Sequence, residues 1–137
     1  MKDFIYIGRP ARVLFGAGTL RRLPEELDRL HARKALVLST PEQRASAEQV
    51  AALLGDRAAG VFDRAVMHVP IETAREAREH AARIGADCAV AIGGGSTIGL
   101  GKAIALESAL PVIAIPTTYA GSEVATIYRI TQAGIKK

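Results

Sequence analysis

The chain alternates short apolar runs with segments whose apolar residues recur every three or four positions. The apolar runs are rich in Val, Ile, Leu and Ala, which is typical of strands buried on both faces of a sheet. They are predicted as strands over 34–38, 59–62, 87–92 and 111–115. Because short connections join them through helices, the alternation predicts an α/β fold built on a doubly wound parallel sheet.

Helices are predicted in the intervening segments, over 19–31, 41–54, 71–84 and 97–107. Thr40 and Gln43 have the spacing of a capping box, with Pro41 at the first helical position. The helix over 71–84 has an inward side of small residues, which lets it lie close to the sheet: Ala74, Ala77 and Ala81. Further strands are predicted over 4–7, 11–15 and 124–131, the last belonging to a hairpin that turns near 133–134.

Composition narrows the classes of function. The 137 residues are enough for one domain, and the net charge of +4 is spread along the chain without a basic stripe, which argues against a nucleic-acid partner. Cys88 is the only cysteine and lies in an apolar run, so it is predicted to be a core residue. No run approaches the ~20 apolar residues of a membrane helix. The start of the chain lacks the pattern of a signal peptide, so we expect a cytoplasmic protein without a membrane partner.

The turn Gly93-Gly94-Gly95-Ser96 is the most informative motif, since it follows a predicted strand and opens a helix. Glycines let the backbone approach a ligand, and the unpaired N–H groups of a helix N-terminus favour an anion, for which phosphate is the natural candidate. The alternative is a tight turn without a ligand, although one glycine would serve that purpose. Ile98 excludes the Rossmann fingerprint, and Ser96 with Ala103 excludes a P-loop.

Two other turns with hydroxyl side chains are predicted at the same edge of the sheet, over 39–41 and 116–123. The second would form another wall of a cofactor site, or else a polar loop of no special function. The three histidines lie far apart in sequence without metal-ligand spacing, so no metal is expected in this chain. His68 is near the functional edge and is a candidate for contact with substrate, but no catalytic residue is assigned.

Several motifs together resemble a known family. The segments 90–96, 102–103, 116–118 and 121–123 (VAIGGGS, KA, PTT and GSE) are similar to the N-terminal domain of the iron-containing alcohol dehydrogenase superfamily. Within it, 8–13, 39–43, 65–70 and 117–123 resemble the maleylacetate reductase branch. The resemblance covers the whole chain. It implies a Rossmann-like, dehydroquinate synthase-like N-terminal domain over 1–137, incomplete at its C-terminal end, whose helical partner domain is absent from this sequence.

The resemblance also implies an activity and a set of contacts. The intact enzyme would be a cytoplasmic homodimer that uses NADH or NADPH to reduce a dicarboxylic substrate, maleylacetate, to 3-oxoadipate. Its absent helical domain would hold the substrate pocket and any metal ligands, so the isolated chain is expected to be inactive. Gly94, Gly95 and Ser96 would bind the pyrophosphate. The nicotinamide and ribose side would be lined by Thr117, Thr118, Ser122, Val124 and Tyr128, with Lys136 close by.

Ser39 and Thr40 follow the first crossover strand, where many members of the superfamily carry an Asp that holds the adenine ribose. Without that charge, we expect the site to admit NADPH as well as NADH. Two alternatives stay open. One is another alcohol or glycerol dehydrogenase of the superfamily, and the other is a non-catalytic nucleotide-binding module.

Overall fold

The computed structural model describes residues 13–17, 19–65, 71–108, 110–116 and 124–130. Six strands form one sheet, in the order β1-β6-β5-β4-β2-β3. The strands are β1 (Val13–Ala17), β2 (Ala35–Leu38), β3 (Ala58–Phe62), β4 (Cys88–Gly93), β5 (Val112–Pro116) and β6 (Val124–Ile130). The helices are α1 (Leu23–Arg29), α2 (Arg44–Leu54), α3 (Ile71–Ile84) and α4 (Gly95–Glu107), with short 3-10 turns at Thr19–Arg22, Pro41–Gln43 and Gly55–Arg57.

The four strands predicted to be parallel are confirmed. β3, β2, β4 and β5 lie side by side in parallel, whereas β6 runs antiparallel between β5 and β1. The strand predicted over 11–15 is observed as β1, displaced by two residues. The strand predicted over 4–7 and the turn near 133–134 lie outside the described residues.

Helices cover both faces of the sheet, as a doubly wound fold requires. Leu36 and Leu38 of β2 belong to a core cluster with α3 and α4, and Ala35 and Val37 belong to a second cluster with α1 and α2. All four residues of β2 are fully buried. Since each fully buried Val or Leu contributes about 1.5–3 kcal/mol, the two layers are the main source of stability.

The small inward side of α3 is also confirmed. Ala74, Ala77 and Ala81 are buried against the sheet, and the helix spans the predicted residues. Gly60 of β3 serves the same close approach, because a Cβ there would stand 3.2 Å from Cδ1 of Ile84. Larger side chains on either element would push α3 away from the sheet.

A carboxylate joins β2 and β4 where both strands begin. The Asp87 side chain accepts hydrogen bonds from the backbone amides of Arg33, at 2.9 and 3.1 Å, and of Lys34, at 2.9 Å. The Lys34 carbonyl in turn accepts the Asp87 amide at 2.8 Å. These bonds connect residues more than fifty positions apart and fix the parallel register of β2 and β4, the inner two of the four parallel strands.

Two predicted helix starts are corrected by the structure. α2 begins at Arg44, because Pro41–Gln43 forms a 3-10 turn first, and the Thr40 side chain makes no capping hydrogen bond. Thr40 stands at the predicted N-cap position with Pro41 after it, but the side-chain bond of the predicted capping box is not formed. α4 begins at Gly95, two residues before the predicted start, because Gly94 adopts the extended conformation of an N-cap.

His80 predicts a pH dependence of stability. Its ring meets Phe62 edge-on at 5.9 Å, and burial, followed by the charges of Arg83 and Arg64, lowers the pKa of His80 below its usual value. The unfolded chain therefore binds the proton more tightly than the folded protein. We expect the free energy of unfolding to fall as pH drops below about 6.5, the unfolded-state pKa of histidine.

Urea unfolding between pH 8 and pH 5 measures this effect. His80→Gln should show a shallower decline than the unmodified protein, while His31→Asn, at the exposed end of α1, should follow the unmodified protein. Equal slopes for the His80 variant and the unmodified protein would contradict the assignment.

Candidate functional site

The carboxyl ends of the parallel strands converge at one edge of the sheet. Leu38 pairs with Ala91, and Gly93 pairs with Pro116, so β2, β4 and β5 end at the same edge of the sheet. From β2 the chain winds outward to β3 and then returns to β4 on the opposite side of β2. Ligands of open α/β sheets bind in the crevice at such a reversal point.

The glycine turn lies in this crevice and leaves backbone donors unpaired. The first helical bond of α4 runs from the Ile98 amide to the Gly94 carbonyl, at 3.0 Å, and no side chain caps the helix. The amides of Gly95, Ser96 and Thr97 are therefore without intrahelical acceptors. Together with the positive end of the helix dipole, they form a site suited to an anion.

The three glycines of the turn have different roles. A Cβ at Gly94 or Gly95 would have no atom within 4 Å, so both residues leave open space in front of the helix. Gly93 instead has φ +147°, and a Cβ there would stand 2.5 Å from Oε1 of Gln43 and 2.8 Å from Oγ1 of Thr97. Glycine is thus required at position 93 by the backbone conformation and by packing within the protein, whereas Gly94 and Gly95 leave room for a ligand.

Gln43 and Thr97 were not predicted as residues of this site. The position of Gln43, three residues after Thr40, was interpreted only as part of a helix cap, yet its side chain reaches across the crevice to Gly93. Thr97 carries no distinctive motif. Its placement follows from the early start of α4, which turns the third helical residue inward.

The residues predicted for the adenine side differ in exposure. Ser39 is fully buried, and its hydroxyl donates to the Thr40 carbonyl at 3.0 Å. Thr40 is half-buried at the edge. Beyond it, Arg44 forms ion pairs with Asp63 and Glu48, each at 3.0 Å, so the charge of this arginine is already paired within the protein.

The residues predicted for the nicotinamide side are only partly described. β6 is antiparallel, so Val124 begins it toward the carboxyl edge, while Tyr128 lies mid-strand beside Ala114 and packs on the α3 and α4 side. Tyr128 therefore lies farther from the carboxyl edge of the sheet than the glycine turn, at the level of Ala114 and not of Pro116. The remaining predicted residues lie outside the described part of the chain: Thr117, Thr118, Ser122, Lys136 and His68.

Other reactive groups do not join the site. Cys88 is fully buried, and burial raises the pKa of its thiol to about 12, so it is the core residue that the sequence predicted. Among the described residues, no three His, Cys, Asp or Glu side chains come together as metal ligands, and these residues do not fit an iron centre. In the same part of the chain, no helix is long and apolar enough to span a bilayer.

Comparison with known proteins identifies the family. The model of the iron-containing alcohol dehydrogenase family matches residues 10–137. The chain belongs to that family. It is 64% identical to a maleylacetate reductase from Burkholderia cepacia over 137 residues, which are all of this chain and 39% of the relative. The chain therefore spans well under half the length of that relative.

Solved structures agree with this assignment. The maleylacetate reductase from Rhizobium sp. strain MTP-10005 superposes with a TM-score of 0.78 at 55% identity, covering 89% of this chain and 35% of that protein. The maleylacetate reductase from Agrobacterium tumefaciens also gives 0.78, at 53% identity, over 88% of this chain and 35% of its own. The fold is thus the N-terminal one of these iron-type dehydrogenases.

The contrast between the glycines predicts their effects on stability. Gly93→Ala should lower the free energy of unfolding by about 1–3 kcal/mol, because φ +147° is strained for alanine and its Cβ would stand 3.2 Å from the Cβ of Thr97, which side-chain rotation does not move. Gly94→Ala, the matched control, should lower it by only about 0.5 kcal/mol, the loss expected when alanine replaces glycine at an N-cap. Urea unfolding of both variants decides the matter, and equal losses would contradict the distinction.

Proposed function

We propose that residues 1–137 are the nucleotide-binding domain of an NAD(P)H-dependent reductase that, when intact, converts maleylacetate to 3-oxoadipate. The observation that carries the proposal is the uncapped N-terminus of α4 behind the open glycines Gly94 and Gly95, at the reversal point of the sheet. The substrate is inferred from 64% identity to a maleylacetate reductase over the whole chain.

The glycine turn fits the pyrophosphate of a dinucleotide. The amides of Gly95 and Ser96 would donate to its oxygens, and the absence of a Cβ at Gly94 gives the phosphates access to them. The adenosine would extend toward Ser39 and Thr40. Since the Ser39 hydroxyl is turned inward, the Thr40 side chain and nearby backbone are the groups available to the ribose.

The other end of the dinucleotide would extend toward β5 and β6. The family resemblance places Thr117, Thr118, Ser122, Val124, Tyr128 and Lys136 there. When bound, the reduced nicotinamide supplies a hydride to a conjugated carbon–carbon double bond. This domain would supply one wall of that reaction site, and the opposite wall and the donors that stabilise the resulting enolate would come from the C-terminal helical domain.

The assembly and the cellular setting of the enzyme are inferred from the family resemblance alone. We propose a homodimer in the cytoplasm that acts on a small dicarboxylic acid and binds neither nucleic acid nor membrane. A different substrate, an alcohol or glycerol, is the second candidate, because the family to which the chain belongs is that of the iron-containing alcohol dehydrogenases.

The intact enzyme, carrying this chain and its C-terminal domain, tests the proposal directly. Maleylacetate should cause oxidation of NADH, followed at 340 nm, at a rate well above those with ethanol or glycerol and NAD+. Gly94→Val places a branched side chain where the phosphates lie and should weaken NADH binding at least about tenfold, or about 1.4 kcal/mol, with the fold retained. Oxidation only of alcohols would favour the second candidate, and unchanged NADH affinity in the variant would refute the phosphate site.

Cofactor selection gives a separate test. No carboxylate stands at 39 or 40 to repel the 2′-phosphate of NADPH, so we expect both cofactors to support activity. Thr40→Asp should lower kcat/KM with NADPH at least about tenfold more than with NADH. Thr40→Asn is the uncharged control and should not discriminate. A preference for NADH of more than about a hundredfold, or about 2.8 kcal/mol, in the unmodified enzyme would contradict the expectation.

A further inference from the structure

Thr97 carries a buried hydroxyl whose hydrogen-bonding capacity is unused. The residue is fully buried, and among the described residues its Oγ1 has no hydrogen-bond partner. An unpaired buried hydroxyl costs free energy, and valine would fill the same volume without that cost. We therefore expect the hydroxyl to make its hydrogen bond in another state of the protein.

Gln43 supplies the complementary group. Its Oε1 and Oγ1 of Thr97 both lie within 2.8 Å of one point, the position that a Cβ on Gly93 would occupy. One oxygen comes from the turn after β2 and the other from the first turn of α4. A hydroxyl donates and an amide carbonyl accepts, so the two groups are matched across the space that Gly93 leaves empty.

We infer that Gln43 and Thr97 are positioning residues that couple the two halves of the dinucleotide site. When a dinucleotide spans the crevice, it draws together the turn after β2 and the glycine turn, and the Thr97 hydroxyl then donates to Oε1 of Gln43. Neither side chain touches the ligand. The inference rests on the proposed function, since it assumes that one ligand bridges both turns.

The inference predicts different effects on the affinity for NADH and on the stability of the unliganded protein. A hydrogen bond made only in the bound state adds to ligand affinity and contributes nothing to the stability of the free protein. Removing the Thr97 hydroxyl should therefore weaken NADH binding and leave the unliganded protein equally stable or more so. A structural role would lower both quantities together.

The experiment uses the intact enzyme with NADH as the probe, titrated by fluorescence, and thermal unfolding without ligand. Thr97→Val and Gln43→Met should each raise the Kd for NADH about fivefold, and Thr97→Ser should restore it. The double variant should bind NADH no more weakly than Gln43→Met alone, because Gln43→Met has already removed the bond to Thr97. Thr73→Val on α3 and Gln49→Met on α2 are the matched controls and should leave the Kd unchanged.

Ligand fragments test the coupling itself. AMP and inorganic pyrophosphate each occupy one side of the crevice, so Thr97→Val should change their Kd values less than it changes that of NADH. Overturning results would be an unchanged Kd for NADH in Thr97→Val, a parallel loss of stability, or additive losses in the double variant. Failure of the unmodified enzyme to bind NADH at all would instead refute the proposed function, and this inference with it.

Discussion

The pairing of β2 with β4 organises the rest of the molecule. Every residue of both strands is buried, because helices cover the sheet on each side, and the Asp87 carboxylate ties the two strands together where they begin. The direction of winding also reverses between them. The pairing of β2 with β4 therefore contributes to both core layers. At the carboxyl edge of the same two strands, the loops that follow them diverge and leave the crevice.

The amino and carboxyl ends of β2 and β4 differ in how the backbone groups near them are hydrogen-bonded. At the amino edge, side chain and backbone pair fully through Asp87. At the carboxyl edge, α4 begins at the glycine N-cap Gly94 without a side-chain bond, which typically costs roughly a few tenths of a kcal/mol relative to Ser, Thr, Asp or Asn. Proteins retain unpaired donors of this kind where a ligand accepts their hydrogen bonds. The loss of stability therefore falls at the candidate site.

Predictions based on periodicity were the most accurate. α3 spans the predicted residues because its alanines recur at helical spacing, and the four parallel strands are each confirmed as apolar runs. The start of α2 was predicted less well. A threonine before proline has the local pattern of a cap, but the chain there forms a 3-10 turn, and Gln43 reaches Gly93, fifty residues away. A local motif carries no information about such a distant neighbour.

The sequence by itself determined the order of elements, the two-faced burial of the central strands and the glycine turn at the start of α4. These features depend on residues that are close together in the chain, through side-chain period and backbone freedom. Only the tertiary structure decided the rest. It inserted β6 antiparallel between β5 and β1, turned the Ser39 hydroxyl inward, and brought Gln43 and Thr97 to either side of Gly93. Strand pairing between distant segments sets these positions, and no local pattern records that pairing.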